Sequence, residues 1–160
     1  MNRLVYRAVI VLAIASGAAH AQQKGPLEST LEQHKVVRAG DGSESLAAAD
    51  AVRPGDVIEY AATYRNTGRA PLTGVEATMP IPPNTEFVAG SARPATGKAS
   101  VDGTAYAPMP LVRKVVRDGK AAEEPVPTRE YRYLRWSAPE LGANQSVRFT
   151  ARVKVLEDTR

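Results

Sequence analysis

Ser146-Val-Arg-Phe-Thr-Ala-Arg-Val-Lys-Val155 decides the fold. Val147, Phe149, Ala151, Val153 and Val155 alternate with serine, arginine, threonine, arginine and lysine. A period of two sets one face of a strand on a core and the other in water. Upstream, Asp56-Val-Ile-Glu-Tyr-Ala-Ala-Thr-Tyr-Arg65 places Ile58, Tyr60, Ala62 and Tyr64 on one face. Glu130-Tyr-Arg-Tyr-Leu-Arg-Trp136 is a third strand, with Leu134 and Trp136 inward. Weaker strand patterns cover 31–38, 43–49, 72–79, 85–89, 99–106 and 111–117, and Leu46-Ala-Ala-Ala-Asp50 reads equally as a helical turn or a short strand.

Turn residues punctuate these runs. Arg53-Pro-Gly-Asp56 and Asn66-Thr-Gly68 flank the Tyr60 strand, and Asp102-Gly103 and Asp118-Gly119 signal two-residue hairpins. Glu123-Glu-Pro-Val-Pro127 reads as a loop ahead of the tryptophan strand. With 12 prolines and 12 glycines among 160 residues, the pattern predicts an all-β antiparallel sandwich of about seven to nine strands.

The N-terminus has another character. Met1-Asn-Arg-Leu-Val-Tyr-Arg7 is basic, Ala8-Val-Ile-Val-Leu-Ala-Ile-Ala-Ser-Gly-Ala-Ala19 is apolar, and Ala19-His-Ala21 has small residues where a signal peptidase reads. That order predicts a signal peptide over 1–21. The apolar run falls short of the roughly 20 residues that span a bilayer, so no transmembrane segment is expected after cleavage. Residues 22–30 read as a polar lead-in and 31–160 as one domain. Without Arg3 and Arg7, 19 basic residues face 17 acidic ones, a near-balance that makes no electrostatic demand for nucleic acid. There is no cysteine, hence no disulfide, lipoprotein anchor or thiolate chemistry.

A set of strings then falls in a familiar order. Val52-Arg-Pro-Gly-Asp-Val-Ile-Glu-Tyr60 is followed by Arg65-Asn-Thr-Gly68, Leu72-Thr-Gly-Val75 and Met79-Pro-Ile-Pro-Pro-Asn-Thr-Glu-Phe-Val-Ala-Gly-Ser91. Trp136, Leu141-Gly142 and Ser146-Val-Arg-Phe-Thr-Ala-Arg-Val153 complete the series. Over about residues 50–156 the chain resembles the DUF11 family, the conserved repeat domain of bacterial surface and secreted proteins. The resemblance implies an immunoglobulin-like sandwich without enzymatic activity, commonly one of many tandem modules. Two departures stand out: a single copy, and an extended hairpin region over 92–130 where a property specific to this chain would reside.

Catalytic and metal chemistry find few residues to work with. His34 is the one histidine after the leader, so neither a zinc cluster nor a Cys-His pair can be built. It is read as an exposed histidine on the first strand. A carboxylate pair is conceivable from Glu59, Glu76 or Glu86, each at a solvent-facing strand or loop position. Asp41-Gly-Ser-Glu44, with Asp50, has no EF-hand spacing and reads as a polar turn. Lys35 stands where related surface domains form a lysine–asparagine cross-link, but 146–156 holds no asparagine. Asn144-Gln-Ser146 matches a glycosylation sequon and is explained by a turn.

One constellation reads as an ordinary solvated sheet face or as a candidate binding face. If Leu134 and Trp136 point inward, parity turns Arg129, Tyr131, Tyr133 and Arg135 outward, and Arg148, Arg152 and Lys154 follow on the last strand. Immunoglobulin-like folds pair their final two strands, which would join these residues into one basic, tyrosine-bearing surface. The expected function is a non-enzymatic structural and interaction module of the bacterial envelope, periplasmic or extracellular, needing no cofactor or metal. Its expected partner is another envelope protein. The alternative is an anionic polysaccharide or similar polymer held on the basic face. Export is directly testable: N-terminal sequencing of the secreted protein should begin at Gln22, and an intact Met1 on membrane-bound protein would sink the leader.

Overall fold

The computed structural model describes residues 25–157, so the leader expected over 1–21 lies outside the described residues. Among the described residues, eleven strands form three antiparallel sheets. They are β1 (Leu27–Arg38), β2 (Glu44–Ala48), β3 (Val57–Asn66), β4 (Glu76–Pro80), β5 (Thr85–Phe87), β6 (Lys98–Ser100), β7 (Ala107–Pro108), β8 (Val112–Arg117), β9 (Lys120–Pro125), β10 (Tyr133–Ser137) and β11 (Ser146–Val155). The first sheet runs β2-β1-β3-β11-β5, the second β4-β10-β6-β7, and β8 pairs with β9 alone. The two large sheets pack face to face. Ile58, Ala62, Phe149, Ala151 and Val153 of the first meet Ala77, Met79, Ala99, Leu134 and Trp136 of the second. The all-β antiparallel sandwich is as the alternation predicts.

Trp136 joins the layers. Its ring stacks on Phe149 of the opposite sheet with centroids 5.4 Å apart, and its Nε1 donates to the Pro94 carbonyl at 2.9 Å. Gly97 passes directly against the indole, where a Cβ would stand 2.5 Å from Nε1. A second tie is polar. Asn66 at the end of β3 is 0% exposed. Its Nδ2 donates to the carbonyls of Ala70, Leu141 and Gly142 at 2.8, 2.9 and 3.2 Å, and its Oδ1 accepts from Gly68 N. The β3–β4 and β10–β11 connections, two of the four places where the chain passes between the large sheets, are thereby held together, and a bridge between Leu72 and Leu141 continues the contact.

Several local expectations need correction. β1 begins at Leu27, inside the stretch read as a polar lead-in, because Leu27–Thr30 pair with Thr63–Asn66 of β3 although their side chains stay exposed. Leu46-Ala-Ala belongs to a strand. Asp118-Gly119 does make a tight hairpin, with φ of 51° and 73°. Asp102-Gly103 does not: the link from β6 to β7 runs over 101–106, and the Asp102 carboxylate accepts from the N–H groups of Thr104 and Ala105. Glu123–Pro125, read as loop, is the end of β9. The immunoglobulin-like pairing of the last two strands is absent, since β10 and β11 lie in opposite sheets.

Both ties can be tested by chemical denaturation. Trp136→Ala should cost about 3–5 kcal/mol through lost burial and a cavity. Asn66→Ala should cost about 1–3 kcal/mol in total, through loss of its bonds to the Ala70, Leu141 and Gly142 carbonyls and from Gly68 N. Wild-type unfolding midpoints for either variant would show that the corresponding tie carries no stability.

Candidate functional site

The outer face of the five-stranded sheet carries the densest polar cluster. Cross-strand register places His34, Glu59 and Arg152 side by side on β1, β3 and β11. The same parity faces Glu32, Arg148 and Thr150 outward. Arg152 Nε binds Glu59 at 2.9 Å and its Nη1 reaches Glu44 on β2 at 2.7 Å. Glu44 also receives Arg38 at 2.7 Å, and Arg148 meets Glu32 at 3.3 Å. The chain of charges Arg38–Glu44–Arg152–Glu59 thus crosses most of the sheet. Beside it lies a polar cleft of about 440 Å³ lined by Glu44, Glu59, Ser91, Arg93, Thr150 and Arg152, among others.

The electrostatics are those of satisfied pairs. Hydrogen bonds from Arg38, then Arg152, hold the Glu44 carboxyl below its usual range. Glu44 and then Glu59 raise Arg152 above its own. A carboxylate held ionised in this way cannot serve as a general acid, which needs a raised pKa. His34 is half-buried rather than exposed, and its Nδ1 is buried with no hydrogen-bond partner among the described residues.

The expected seven-residue basic face does not form. β10 and β11 stand in different sheets, so Tyr133 and Arg135 are separated from Arg148, Arg152 and Lys154 by the core. Tyr131 is not outward at all: it is 1% exposed, stacks on Phe87 and accepts a hydrogen bond from Leu111 N at 2.7 Å. Arg129 sits in a 3-10 turn, Thr128–Glu130. Strand parity fails because the regular strand starts only at Tyr133, so the alternation counted back from Trp136 stops there. Arg135 is occupied too, lying over the Tyr106 ring at 3.7 Å and near Glu76 at 3.5 Å. Among the described residues Arg129 and Lys154 make no ion pair.

The carboxylate pair is likewise dispersed. Glu59 and Glu86 are on the five-stranded sheet, where Glu59 binds Arg152 and Glu86 accepts from the Thr128 hydroxyl at 2.6 Å. Glu76 is on the other sheet, with Arg135. Asp41 accepts from Ser43 N and Oγ, closing the polar turn expected of 41–44. No group of metal-ligating side chains occurs among the described residues. Lys35 forms an ion pair with Asp56 at 2.7 Å. Asn144 adopts φ of 60°, as a turn asparagine does.

Comparison with protein-family models, with curated proteins and with solved structures finds no match for this chain.

The paired carboxylates give the fold an acid-dependent contribution. Lys35 and the Arg53 N–H lower Asp56, Arg113 lowers Glu124, and Glu44 is lowered as described. Folded values below the unfolded ones contribute stability above the ordinary carboxyl range, and that stability is lost as pH falls through the depressed values. The urea midpoint, followed by Trp136 fluorescence, should be flat from about pH 7 to about pH 5 and fall below about pH 4.5. Glu44→Gln should shrink that fall. A flat midpoint down to about pH 3 would show that these pairs contribute nothing.

Proposed function

We propose that the chain is an exported, non-enzymatic structural and interaction module of the bacterial envelope, the role that its DUF11-like strings imply. The observation that carries this reading is the order of its parts: a basic, apolar, Ala-x-Ala leader precedes a chain that folds as an all-β sandwich. The carboxylates best suited to hydrolysis support it, because each is engaged elsewhere and they stand on two sheets. The extended 92–130 region supports an interaction role by raising an isolated hairpin, β8–β9, from the sandwich. Capture of an anionic polymer on the basic face is not advanced, since Arg129, Tyr131, Tyr133, Arg135, Arg148, Arg152 and Lys154 do not share a face and three of the arginines pair with glutamates.

Fractionation of bacteria producing a C-terminally tagged chain tests the reading. The processed protein should leave the cytosol, and in-cell cross-linking should join it to envelope proteins. Retention of the unprocessed chain in the cytosol would overturn it.

A further inference from the structure

Two strand edges are open, and they fit each other. β2 pairs with β1 only from His34 onward, so Leu27–Gln33 present an unpaired edge among the described residues. On that segment Leu27 and Leu31 point to the core side of their sheet but are uncovered, 38% and 59% exposed. The alternate positions include Glu28 and Glu32. β8 pairs only with β9, and its Val112 and Val116 are 57% and 75% exposed. Its other face carries Arg113 and Arg117, which pair with Glu124 on β9, Arg113 also with Glu130. An open edge with uncovered apolar side chains is a template for strand addition. These four residues are half of the exposed large hydrophobics among the described residues.

We infer that the partner of the β1 edge is a second copy of this chain, which inserts the β8 edge of its hairpin. The sequences select one antiparallel register. Leu27 opposite Val116 places Leu31 opposite Val112, because both pairs of apolar residues are four apart. On the reverse face Arg113 then stands between Glu28 and Glu32, and Arg117 lies just beyond Glu28. Opposite β-branched and leucine pairs, and opposite charges on neighbouring positions, are the contacts that stabilise sheets. Self-pairing of the β1 edge about Thr30 instead sets Glu28 against Glu32 of the other copy, a like-charge contact. Hairpin-to-edge pairing creates no such like-charge contact, since Val115 stands opposite Glu28 in that register, so it is the choice the edge allows.

The contact is heterologous: each copy offers one edge and one hairpin, in different places. Such head-to-tail contacts propagate into rings or open filaments rather than stopping at a dimer. The paired segment is short, well under the size of a stable interface, so single contacts are weak. Assembly depends on high local concentration.

This assembly deepens the envelope-module reading and rests on it for its setting. The test uses the purified chain in sedimentation velocity from about 10 μM to about 1 mM. Wild type should grow in mass with concentration and pass beyond the dimer. Leu31→Glu, with a dead edge, and Val116→Glu, with a dead hairpin, should each weaken association at least about tenfold, since each buries an unpaired charge. Both sites are exposed, and unchanged thermal unfolding will confirm that each variant folds. Mixed in equal amounts, the two variants retain one intact edge and one intact hairpin between them and should form a dimer that grows no further. A wild type that stays monomeric, or a mixture that does, overturns the proposal. A monomeric wild type whose in-cell cross-links are lost in Leu31→Glu assigns the edge to another protein and also overturns it. Envelope recovery of a chain that is monomeric when purified would sink the assembly alone. Polymerisation of a chain retained in the cytosol would sink the envelope reading alone.

Discussion

The buried amide of Asn66 is the constraint on which the sandwich depends. A two-layer fold needs its chain to leave one sheet for the other and come back, and the carbonyls in those crossings lose water without gaining a ladder partner. Here the first of four crossings, after β3, and the last, before β11, meet at one side chain, whose amide serves carbonyls from both. Apolar residues of similar size would fill the space but take the amide donor from the Ala70 carbonyl and leave Leu141 and Gly142 only their bonds from Leu72 N and Gln145 N. The indole of Trp136 then fixes the depth of the layers, through Phe149 on one side and the Pro94 carbonyl on the other. Asn66 holds the end of the sandwich, and Trp136 holds its middle.

Charge is handled locally on this molecule. Basic residues along β11 look like a cationic stripe in isolation, but a β-sheet face is a two-dimensional array, and β1, β2 and β3 supply acids across from them. Arg148 meets Glu32, while Arg152 divides its guanidinium between Glu59 and Glu44. Pairs of this kind at the surface add little stability each. Their larger effect is to fix which side chains lie flat on the sheet, and the exposed apolar residues of the edges are left as its more conspicuous features.

What the sequence made legible follows from what alternation encodes. Period two reports the side of a strand that faces the core, and it placed Ile58, Phe149, Val153, Leu134 and Trp136 correctly. It carries no information on which sheet a strand joins, so β10 and β11 were assigned to one surface when they belong to two. Tyr131 was misplaced for a related reason: parity counted back from Trp136 ran past the start of β10 toward a 3-10 turn. β9 gave no signal because neither of its faces reaches the core, and Glu-Glu-Pro has the composition of a loop. The Asn66-Thr-Gly68 motif was visible as a turn, but its carbonyl partners at Leu141 and Gly142 are remote in sequence. The charge network was hidden likewise, since Glu44, Glu59 and Arg152 meet only through the register of four strands.

The hairpin has a consequence for how such a chain can diverge. β8 enters and β9 leaves through adjoining points, with Leu111 and Val126 buried at the root and Val126 N bonded to the Leu111 carbonyl. Everything between those two residues folds on contacts mostly its own, so replacing or lengthening it leaves the crossings and the core untouched, and the closure entropy rises only slowly with added length. Selection can therefore rewrite the tip without renegotiating the body. Paralogues that differ only between Leu111 and Val126 would share a scaffold yet sort into separate lineages of attachment, in the manner of interchangeable keys cut on one blank.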